Sequence, residues 1–212
     1  MLDHDGVVVD SLDIFMSAFL AACRRLGLPQ IATTDDALAL FEGNFYEGMR
    51  DVGADDDQIR EAMLRTSGVL RVAMPALRPF PLMPEVVGEL AEARRLVIVS
   101  SNASDVVDLF LRRHGIAGVA EVAGAESGRS KAAKIEGLLA LHPGQDVYWF
   151  VGDTAGDMRE ARLAGATPLG VAWGWHPPEV LLEAGAERIA DTPADLLAIV
   201  APELAADFLG TG

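Results

Sequence analysis

The chain has 212 residues; half of them are hydrophobic, 23% are charged, and the formal net charge is −15. A chain of this length and apolar content buries a sizeable core, which excludes an intrinsically disordered protein. So strong a negative charge argues against nucleic acid as a partner, because the protein would repel the phosphate backbone.

The first part of the chain predicts one short strand followed by helices. The opening residues MLDHDGVVVDS form a short strand that runs into a glycine turn, and apolar residues then recur at helical spacing from 11 to 28. Residues from about 33 to 74 predict further helices without strand-like alternation, separated by Gly43, Gly48 and Gly53. Three prolines between 79 and 84 mark a linker.

Beyond the linker, short apolar runs alternate with helical segments. The predicted strands are LVIVSS, AEVAGA, VYWFVGD and TPLGVAW. The predicted helices cover 84–94, 104–114, 130–141 and 155–164, with terminal helices after His176 and Thr192. Such alternation is typical of a parallel sheet with helices on both faces. The sequence therefore predicts an α/β core that a helical block interrupts after the first strand.

The cysteine content and hydropathy indicate where the protein resides. The single cysteine, Cys23, excludes an internal disulfide framework and fits a reducing cytosol. No basic start followed by an apolar run suggests a signal peptide. No apolar stretch reaches the ~18 residues of a membrane helix. We therefore expect a cytoplasmic protein with no membrane partner.

Asp3 and Asp5 form the first acidic pair, at the end of the first predicted strand. Residues two apart on a strand share a face, so the two carboxyl groups point the same way. In open parallel sheets, ligands bind at this edge. Two close carboxylates repel each other unless they share a cation or a proton. The alternative is a pair of polar residues that cap a loop.

The segment VYWFVGDTAGD supplies a second acidic pair. Asp153 follows the strand directly, and Asp157 lies one helical turn later, so it can face back toward Asp153. An oxygen-only site of this kind suits Mg²⁺. The alternative is a helix N-cap at Asp153 or Thr154 followed by an ordinary surface aspartate.

Two further segments offer groups that bind phosphate. Ser100, Ser101 and Asn102 end the strand LVIVSSN, where their side chains and the N-terminus of the next helix can donate to phosphate oxygens. Lys131, one of only two lysines in the chain, stands near the start of a helix and can neutralise phosphate charge. Helix capping and a solvated surface lysine are the respective alternatives.

The order of these four segments resembles the haloacid dehalogenase-like superfamily. The matching stretches are LDHDGVVVDS, LVIVSSN, SGRSKAAKI and FVGDTAGDMREARLAGATPLGVAWG, which together span nearly the whole chain. The ending WGWHPPEVLLEAGAERIADTPADLL is similar to the phosphoglycolate phosphatase-like branch. The resemblance implies a Rossmann-like parallel-sheet core, residues 1–12 and 79–212, with an inserted helical cap, residues 13–78, that closes over the core and excludes water.

The resemblance also implies a Mg²⁺-dependent phosphatase with a role for each motif. Asp3 attacks phosphorus to form an aspartyl-phosphate, and Asp5 protonates the leaving alcohol and then activates water. Ser100 holds a phosphate oxygen, and Lys131 pairs with the phosphate and with the nucleophile. The implied metal site comprises Asp3, Asp153, the main-chain carbonyl of Asp5, and Asp157 as support.

The implied substrate is a small phosphorylated metabolite, either phosphoglycolate-like or a sugar phosphate. Candidate substrate-binding residues are Ser101, Asn102 and Arg50, the last in the segment FEGNFYEGMR with Asn44 and Tyr46. A guanidinium can bind a substrate carboxylate with two hydrogen bonds, but it serves equally well in a surface ion pair. The same two readings apply to Arg60, Arg65 and Arg71. Trp173, Trp175 and His176 either border the pocket or pack in the core.

Single residues distinguish this chain from members of the superfamily with other activities. Dehalogenases lack the second aspartate, so Asp5 disfavours that activity. Phosphonate hydrolases use a cap lysine, and none exists between Met1 and Arg129. A sugar phosphomutase stays open, as does a low-activity phosphate-binding or regulatory relative. We expect a monomer or a homodimer.

The strand before the nucleophile is unusually short. In relatives several apolar residues precede the nucleophile, whereas here only Met1 and Leu2 do. Either translation starts upstream of Met1, which is the expectation, or the natural first strand is short. A truly short strand would predict weak activity.

Overall fold

The computed structural model describes residues 1–128, 130–144 and 147–205. Its first helices are α1 (Leu12–Arg25), α2 (Thr34–Ala39), α3 (Phe45–Asp51) and α4 (Asp56–Ala73). Next come α5 (Met83–Ala93), β1 (Leu96–Val99), α6 (Ser104–Arg113), β2 (Val119–Ala123) and α7 (Lys131–Leu141). The chain continues with β3 (Trp149–Gly152), α8 (Ala155–Leu163), β4 (Thr167–Val171), α9 (Pro178–Glu183), β5 (Arg188–Ala190) and α10 (Pro193–Val200).

The pairings among the five described strands are parallel, and Leu2 joins the two halves of the sheet. β1 pairs with β2, while β4 lies between β3 and β5. Leu2 forms parallel bridges to Ile98 of β1 and Val151 of β3, so the spatial order is β2, β1, Leu2, β3, β4, β5. Short as the first strand is, Leu2 is paired on both sides. The prediction of an α/β parallel-sheet fold is confirmed.

Apolar helix faces cover the sheet on both sides. One core cluster brings α5, α6 and α10 against the buried strands, and a second brings α7 and α8 against the opposite face. Helices α1 to α4 pack on a cluster of their own, which Trp175 joins from the core. This separate cluster is what a cap requires, but the division into a core and a cap at 13–78 stays a prediction.

Two details of the fold differ from the sequence-based expectation. Gly48 does not separate two helices; it lies inside α3, where an added Cβ would come within 3.1 Å of the Leu40 carbonyl oxygen. β5 was not expected at all, because three residues carry too little alternation to indicate a strand. In the described ranges, no helix is both long enough and apolar enough to cross a bilayer.

Candidate active site

The predicted acidic residues come together at the carboxyl edge of the sheet. Asp3 directly follows Leu2, Asp153 follows β3, and Asp157 lies in the first turn of α8. One carboxylate oxygen from each of the three lies within 4.8 Å of the others, and all three residues are buried. Parallel strands end at a common edge, which is why residues far apart in the sequence meet here.

Lys131 supplies the positive charge of this cluster. It is the first residue of α7, and its Nζ donates to Asp3 and to Asp157 at 2.5 Å in each case. Burial lowers the pKa of Lys131, but the two carboxylates outweigh burial and raise it above its ordinary value. Burial raises the pKa of Asp3 to about 7, against the opposing effect of Lys131. The ammonium therefore persists while Asp3 titrates near neutral pH.

Asp153 offers an oxygen that suits a hard cation. Its Oδ2 accepts the backbone N–H of Trp175 at 2.8 Å, whereas its buried Oδ1 has no hydrogen-bond partner among the described residues. Burial raises the pKa of Asp153 well above its ordinary value, and the charges of Asp157 and Asp3 raise it further. Three crowded, buried carboxylates with one unpaired oxygen fit Mg²⁺, which binds carboxylate oxygens and relieves their mutual repulsion.

Two glycines allow the backbone to approach Asp153 closely. A Cβ on Gly6 would lie 1.8 Å from Asp153 Oδ2, and a Cβ on Gly174 would lie 2.1 Å from Asp153 Cβ. Gly6 also has a φ of +73°, a conformation that other residues rarely adopt. Reasoning from the sequence missed both residues, although a glycine directly after the acidic pair was a usable signal.

The side chain of Asp5 is held in place by hydrogen bonds to both of its oxygens. The Ser11 hydroxyl donates to Oδ1 and the Asn102 amide donates to Oδ2, each at 2.6 Å. Nδ1 of His4 lies 3.5 Å from Oδ2. Burial alone would raise the pKa of Asp5, but the contacts with His4 and Ser11 outweigh it, so the pKa lies below its ordinary value. Ser11 is a residue that the sequence reasoning did not single out.

The three polar residues after β1 have different surroundings. Ser100 is fully buried; its Oγ accepts the N–H of Asn102 at 3.0 Å, and its carbonyl accepts Lys134 Nζ at 2.7 Å. Ser101 and Asn102 line the cavity at the acidic cluster. Asn102 contacts Asp5 directly, so its first role is to orient that carboxylate. A contact between Ser100 and phosphate stays a prediction.

Asp157 belongs to a helix cap as well as to the charged cluster, so both interpretations of the second acidic pair apply. Thr154 is the N-cap of α8 and forms a reciprocal capping box with Asp157. Asp157 Oδ2 accepts the backbone N–H of Thr154 at 3.2 Å and of Asp153 at 3.3 Å, while its Oδ1 accepts Lys131. The same side chain therefore caps the helix and positions the lysine.

The helical block contacts α8 directly above the acidic cluster. The backbone N–H of Gly156 donates to the Phe41 carbonyl at 2.8 Å. The Asn44 amide donates to Glu160 at 2.7 Å, and the other oxygen of Glu160 accepts the N–H of Ala132 at 2.9 Å. Glu160 is a second residue that the sequence reasoning missed, since an isolated glutamate on a helix carries no pattern.

The aromatic and histidine residues after β4 divide between the core and the cavity. Trp173 packs on the main core and donates to the Val7 carbonyl at 3.1 Å. Trp175 lines the cavity. His176 accepts the N–H of Ala155 at Nδ1, 3.0 Å away, which places its proton on Nε2, 3.1 Å from the Leu38 carbonyl. His176 thus connects α8 to the helical block.

A cavity of about 90 Å³ lies between the acidic cluster and the helical block. Its core side carries the polar residues Asp3, Asp5, Ser101, Asn102, Lys131, Asp153, Thr154, Asp157 and Glu160. Its opposite side is mainly apolar and includes Phe15, Phe41, Phe45, Tyr46, Met63, Leu70 and Trp175. Arg50 does not line this cavity; it borders a neighbouring cleft and pairs with Asp56. A contact between Arg50 and substrate stays a prediction.

Comparisons with known proteins agree with this architecture. The chain matches the family model of haloacid dehalogenase-like hydrolases over residues 1–171. It is 29% identical over 203 residues to a phosphoglycolate phosphatase from Synechococcus elongatus, covering 94% of this chain and 95% of that protein. A haloacid dehalogenase-like hydrolase, SP0104 from Streptococcus pneumoniae, matches with a TM-score of 0.73 at 25% identity, covering 93% and 95%. The fold of a hydrolase from Pseudomonas syringae matches with a TM-score of 0.80 at 18% identity, covering 96% and 97%.

The chain belongs to the haloacid dehalogenase-like hydrolase family, because the family model covers most of its length. The resemblance drawn from the four motifs is thereby confirmed, and the chain is an enzyme of the hydrolase class. Its similarity to a phosphoglycolate phosphatase extends over nearly all of both chains, which agrees with the predicted resemblance to that branch.

Proposed function

We propose that this protein is a Mg²⁺-dependent phosphatase that hydrolyses a small phosphorylated metabolite through an aspartyl-phosphate. The observation that carries the proposal is the buried cluster of Asp3, Asp153 and Asp157 around Lys131, facing a cavity at the carboxyl edge of the sheet. The similarity to a protein named as a phosphatase supports phosphoric monoester hydrolysis as the reaction class.

Asp3 is the nucleophile of the proposed reaction. One carboxylate oxygen forms a bond to phosphorus while the bond from phosphorus to the ester oxygen breaks. Lys131 holds the carboxylate of Asp3 by a hydrogen bond and stays protonated, so it favours the ionised form of Asp3 and pairs with the phosphoryl oxygens. Asp3, Asp153 and the main-chain carbonyl of Asp5 would hold Mg²⁺, supported by Asp157. Bound Mg²⁺ supplies charge neutralisation for the phosphoryl group.

Asp5 is the proposed acid and base. It gives a proton to the departing alcohol oxygen and later takes one from the water that hydrolyses the aspartyl-phosphate. In the free protein the pKa of Asp5 is low, so the proton must be acquired as the substrate binds. A phosphate dianion next to Asp5 favours this, because a nearby like charge raises a carboxyl pKa. Ser11 and Asn102 keep the carboxylate oriented in both steps.

The substrate candidates from the sequence are phosphoglycolate-like acids and sugar phosphates. Ser101 and the N-terminus of α6 lie at the strand edge where a phosphate would be bound, which suits either candidate. Hydrogen bonds to both oxygens of Asp5 favour catalysis over mere phosphate binding, because binding alone has no need of an oriented acid. The phosphomutase alternative, the oligomeric state and the cytoplasmic location stay predictions.

The test is phosphate release from an aryl phosphate in the presence of Mg²⁺. We expect Asp3→Asn to lower kcat by about 10⁴-fold or more, because the nucleophile is lost, and EDTA to abolish turnover. Acid quenching during turnover should trap a phosphorylated wild-type protein but no phosphorylated Asp3→Asn. Asp10→Asn is the matched control, since Asp10 is exposed and outside the cavity. Equal losses in both variants, or turnover that survives EDTA, would refute the proposal.

A further inference from the structure

The two sides of the catalytic cavity differ sharply in charge. Of its described lining residues, five are carboxylates and one is a cation, Lys131. Both of the acidic partners of Lys131 are already within 2.5 Å, so its charge is committed to the phosphoryl end of the site. A second negative group on the substrate would have no free cation in the described wall of the cavity.

Glu160 adds negative charge where the alcohol part of the substrate would lie. It belongs to α8 on the core side and borders the cavity beside Gly156, where Asn44 of the helical block contacts α8. Its two oxygens accept hydrogen bonds from the Asn44 amide and the backbone N–H of Ala132, both neutral donors. Among the described residues Glu160 forms no ion pair within 4 Å, so it disfavours an acidic substituent of the substrate at this place.

Four arginines of the helical block form surface ion pairs and do not line the cavity. The pairs are Arg50 with Asp56, Arg60 with Asp57, Arg65 with Glu61 and Arg71 with Asp105. The four arginine side chains are between 47% and 64% exposed. A guanidinium that recognises a substrate carboxylate has to face the site, and none of these four does.

Aromatic and aliphatic side chains cover the cavity instead. The rings of Phe41 and Phe45 lie 5.0 Å apart, and those of Phe41 and Trp175 lie 5.2 Å apart, edge to face. Met63 and Leu70 of α4 extend this wall. Such a surface gains free energy from apolar contact and loses it when it desolvates a charged group.

Resting on the phosphatase function above, we propose that the preferred substrate is a phosphate monoester of a compact, neutral and largely apolar alcohol. The carbon skeleton of that alcohol packs on Phe41, Phe45, Met63 and Leu70, while its phosphate occupies the lysine and carboxylate end. A phosphorylated acid such as phosphoglycolate is the disfavoured class, because its carboxylate would face Glu160 and the aromatic wall without a partner. The packed rings of Phe41, Phe45 and Trp175 limit the size of the alcohol.

A neighbouring cleft defines the competing arrangement. It has a volume of about 510 Å³ and includes Arg50 and Arg159 in its lining. The Asn44–Glu160 hydrogen bond lies at the border, because both residues line the cavity and the cleft. An acidic substrate would have to displace this bond to reach either guanidinium.

The proposal is tested with ester pairs that differ only in charge. The first pair is phosphoglycolate and its neutral amide, and the second is 4-carboxybenzyl phosphate and its neutral amide, 4-carbamoylbenzyl phosphate. We expect kcat/KM with Mg²⁺ to be about 10- to 100-fold higher for the neutral member of each pair, the range expected for burying one unpartnered charge. n-Propyl phosphate should be hydrolysed at least as well as the amide.

A positive charge on the apolar side of the cavity should reduce the preference for neutral substrates. Met63→Arg puts a guanidinium on the apolar side of the cavity. We expect it to lower the ratio of kcat/KM for the neutral ester to kcat/KM for the acidic ester by about tenfold. Leu64→Arg is the matched control, because Leu64 is the next residue on α4 and is 66% exposed. The control should keep the wild-type ratio, which separates a local effect from a general gain of positive charge.

The outcomes separate this inference from the proposed function. Faster hydrolysis of the acidic member of both pairs, with the preference removed by Arg50→Gln or by Arg129→Gln, would overturn the inference and leave the phosphatase intact. Arg129 lies outside the described residues and is included for that reason. No phosphate release from any of the esters, together with no trapped aspartyl-phosphate, would overturn both.

Discussion

The sheet-edge side of the cavity and its helical-block side differ in how charged residues are placed. At the sheet edge, Asp3, Asp153 and Asp157 are buried with Lys131, although burying charge is unfavourable. In the helical block, four arginines form exposed ion pairs with carboxylates, and such pairs contribute little to stability. The comparison indicates that this chain keeps buried, paired charge at the sheet edge, where we propose that the phosphoryl group reacts, and holds these arginines outside the cavity lining.

Replacing Lys131 by methionine removes the only cation in the described lining of the cavity, and we expect it to have the largest effect. The variant leaves Asp3 and Asp157 buried without their cation. We expect kcat/KM for an aryl phosphate to fall about 10²- to 10³-fold, the range for losing one preorganised donor. We also expect a loss of about 3–5 kcal/mol in the free energy of unfolding in EDTA, as when one partner of a buried pair is removed. Urea unfolding and steady-state kinetics measure the two effects.

Lys134→Met is the matched control for that variant. Lys134 lies one turn later on α7 and donates to the Ser100 carbonyl, but it does not line the cavity. Removing it should lower kcat/KM less than tenfold. Equal losses of activity in both lysine variants would mean that the contacts of Lys131 with Asp3 and Asp157 have no special role in the reaction. That result would contradict the difference in charge proposed for the two sides of the cavity.

A methyl group on Gly156 should loosen the contact between the two walls. In the structure, a Cβ at this position would lie 2.3 Å from the Gly43 carbonyl oxygen and 2.9 Å from that of Phe41. Because both obstacles are backbone atoms, segment 41–44 must move away from α8. We expect Gly156→Ala to destabilise the protein by about 1–3 kcal/mol, as overpacking does, and to raise KM. Chemical denaturation and substrate titration test this.

Gly137→Ala is the control for adding the same methyl group elsewhere. Gly137 lies in the interior of α7, and a Cβ there meets no atom within 4 Å. We expect a gain of about 0.5–1 kcal/mol, because alanine loses less conformational freedom in a helix. A stability loss at Gly137, or none at Gly156, would contradict the view that the helical block is seated tightly on α8.

The acidic residues of the site could be predicted from sequence because local rules place them. Asp153 follows an apolar run, Asp3 lies in a recognisable acidic motif after a very short one, and strand ends of a parallel sheet meet at one edge. The helical turn from Asp153 to Asp157 fixes the second spacing. Ser11 and Glu160 could not be predicted in this way, since their partners, Asp5 and Asn44, lie in other elements and become neighbours only through the tertiary fold.

The ion pairs of the arginines in the helical block could not be predicted from the sequence for a related reason. Arg50 and Asp56 are six residues apart and pair across the turn between α3 and α4. Arg71 reaches Asp105 of α6, so its partner is far away along the chain. Either arginine was equally compatible with a substrate carboxylate until the packing of the helices was known. β5 could not be predicted either, because its three residues are too few to give a strand pattern in the sequence.

The pH dependence of stability gives the smallest effect and probes the second buried lysine. Burial lowers the pKa of Lys134 to about 8, from 10.5 for the unfolded chain, and the charge of Lys131 lowers it further in the same direction. Between pH 8 and 10.5 the unfolded state therefore binds more protons at this site than the folded state, so this group makes the protein more stable as pH rises. The charges of Asp3, Glu126 and Glu160 oppose this lowering of the pKa, so the effect should be smaller than those of the variants above. Denaturation of wild type and Lys134→Met at pH 7.5 and pH 9.5 measures it: the wild type should gain stability relative to the variant at the higher pH, and a relative loss would show that the folded state favours the charged lysine.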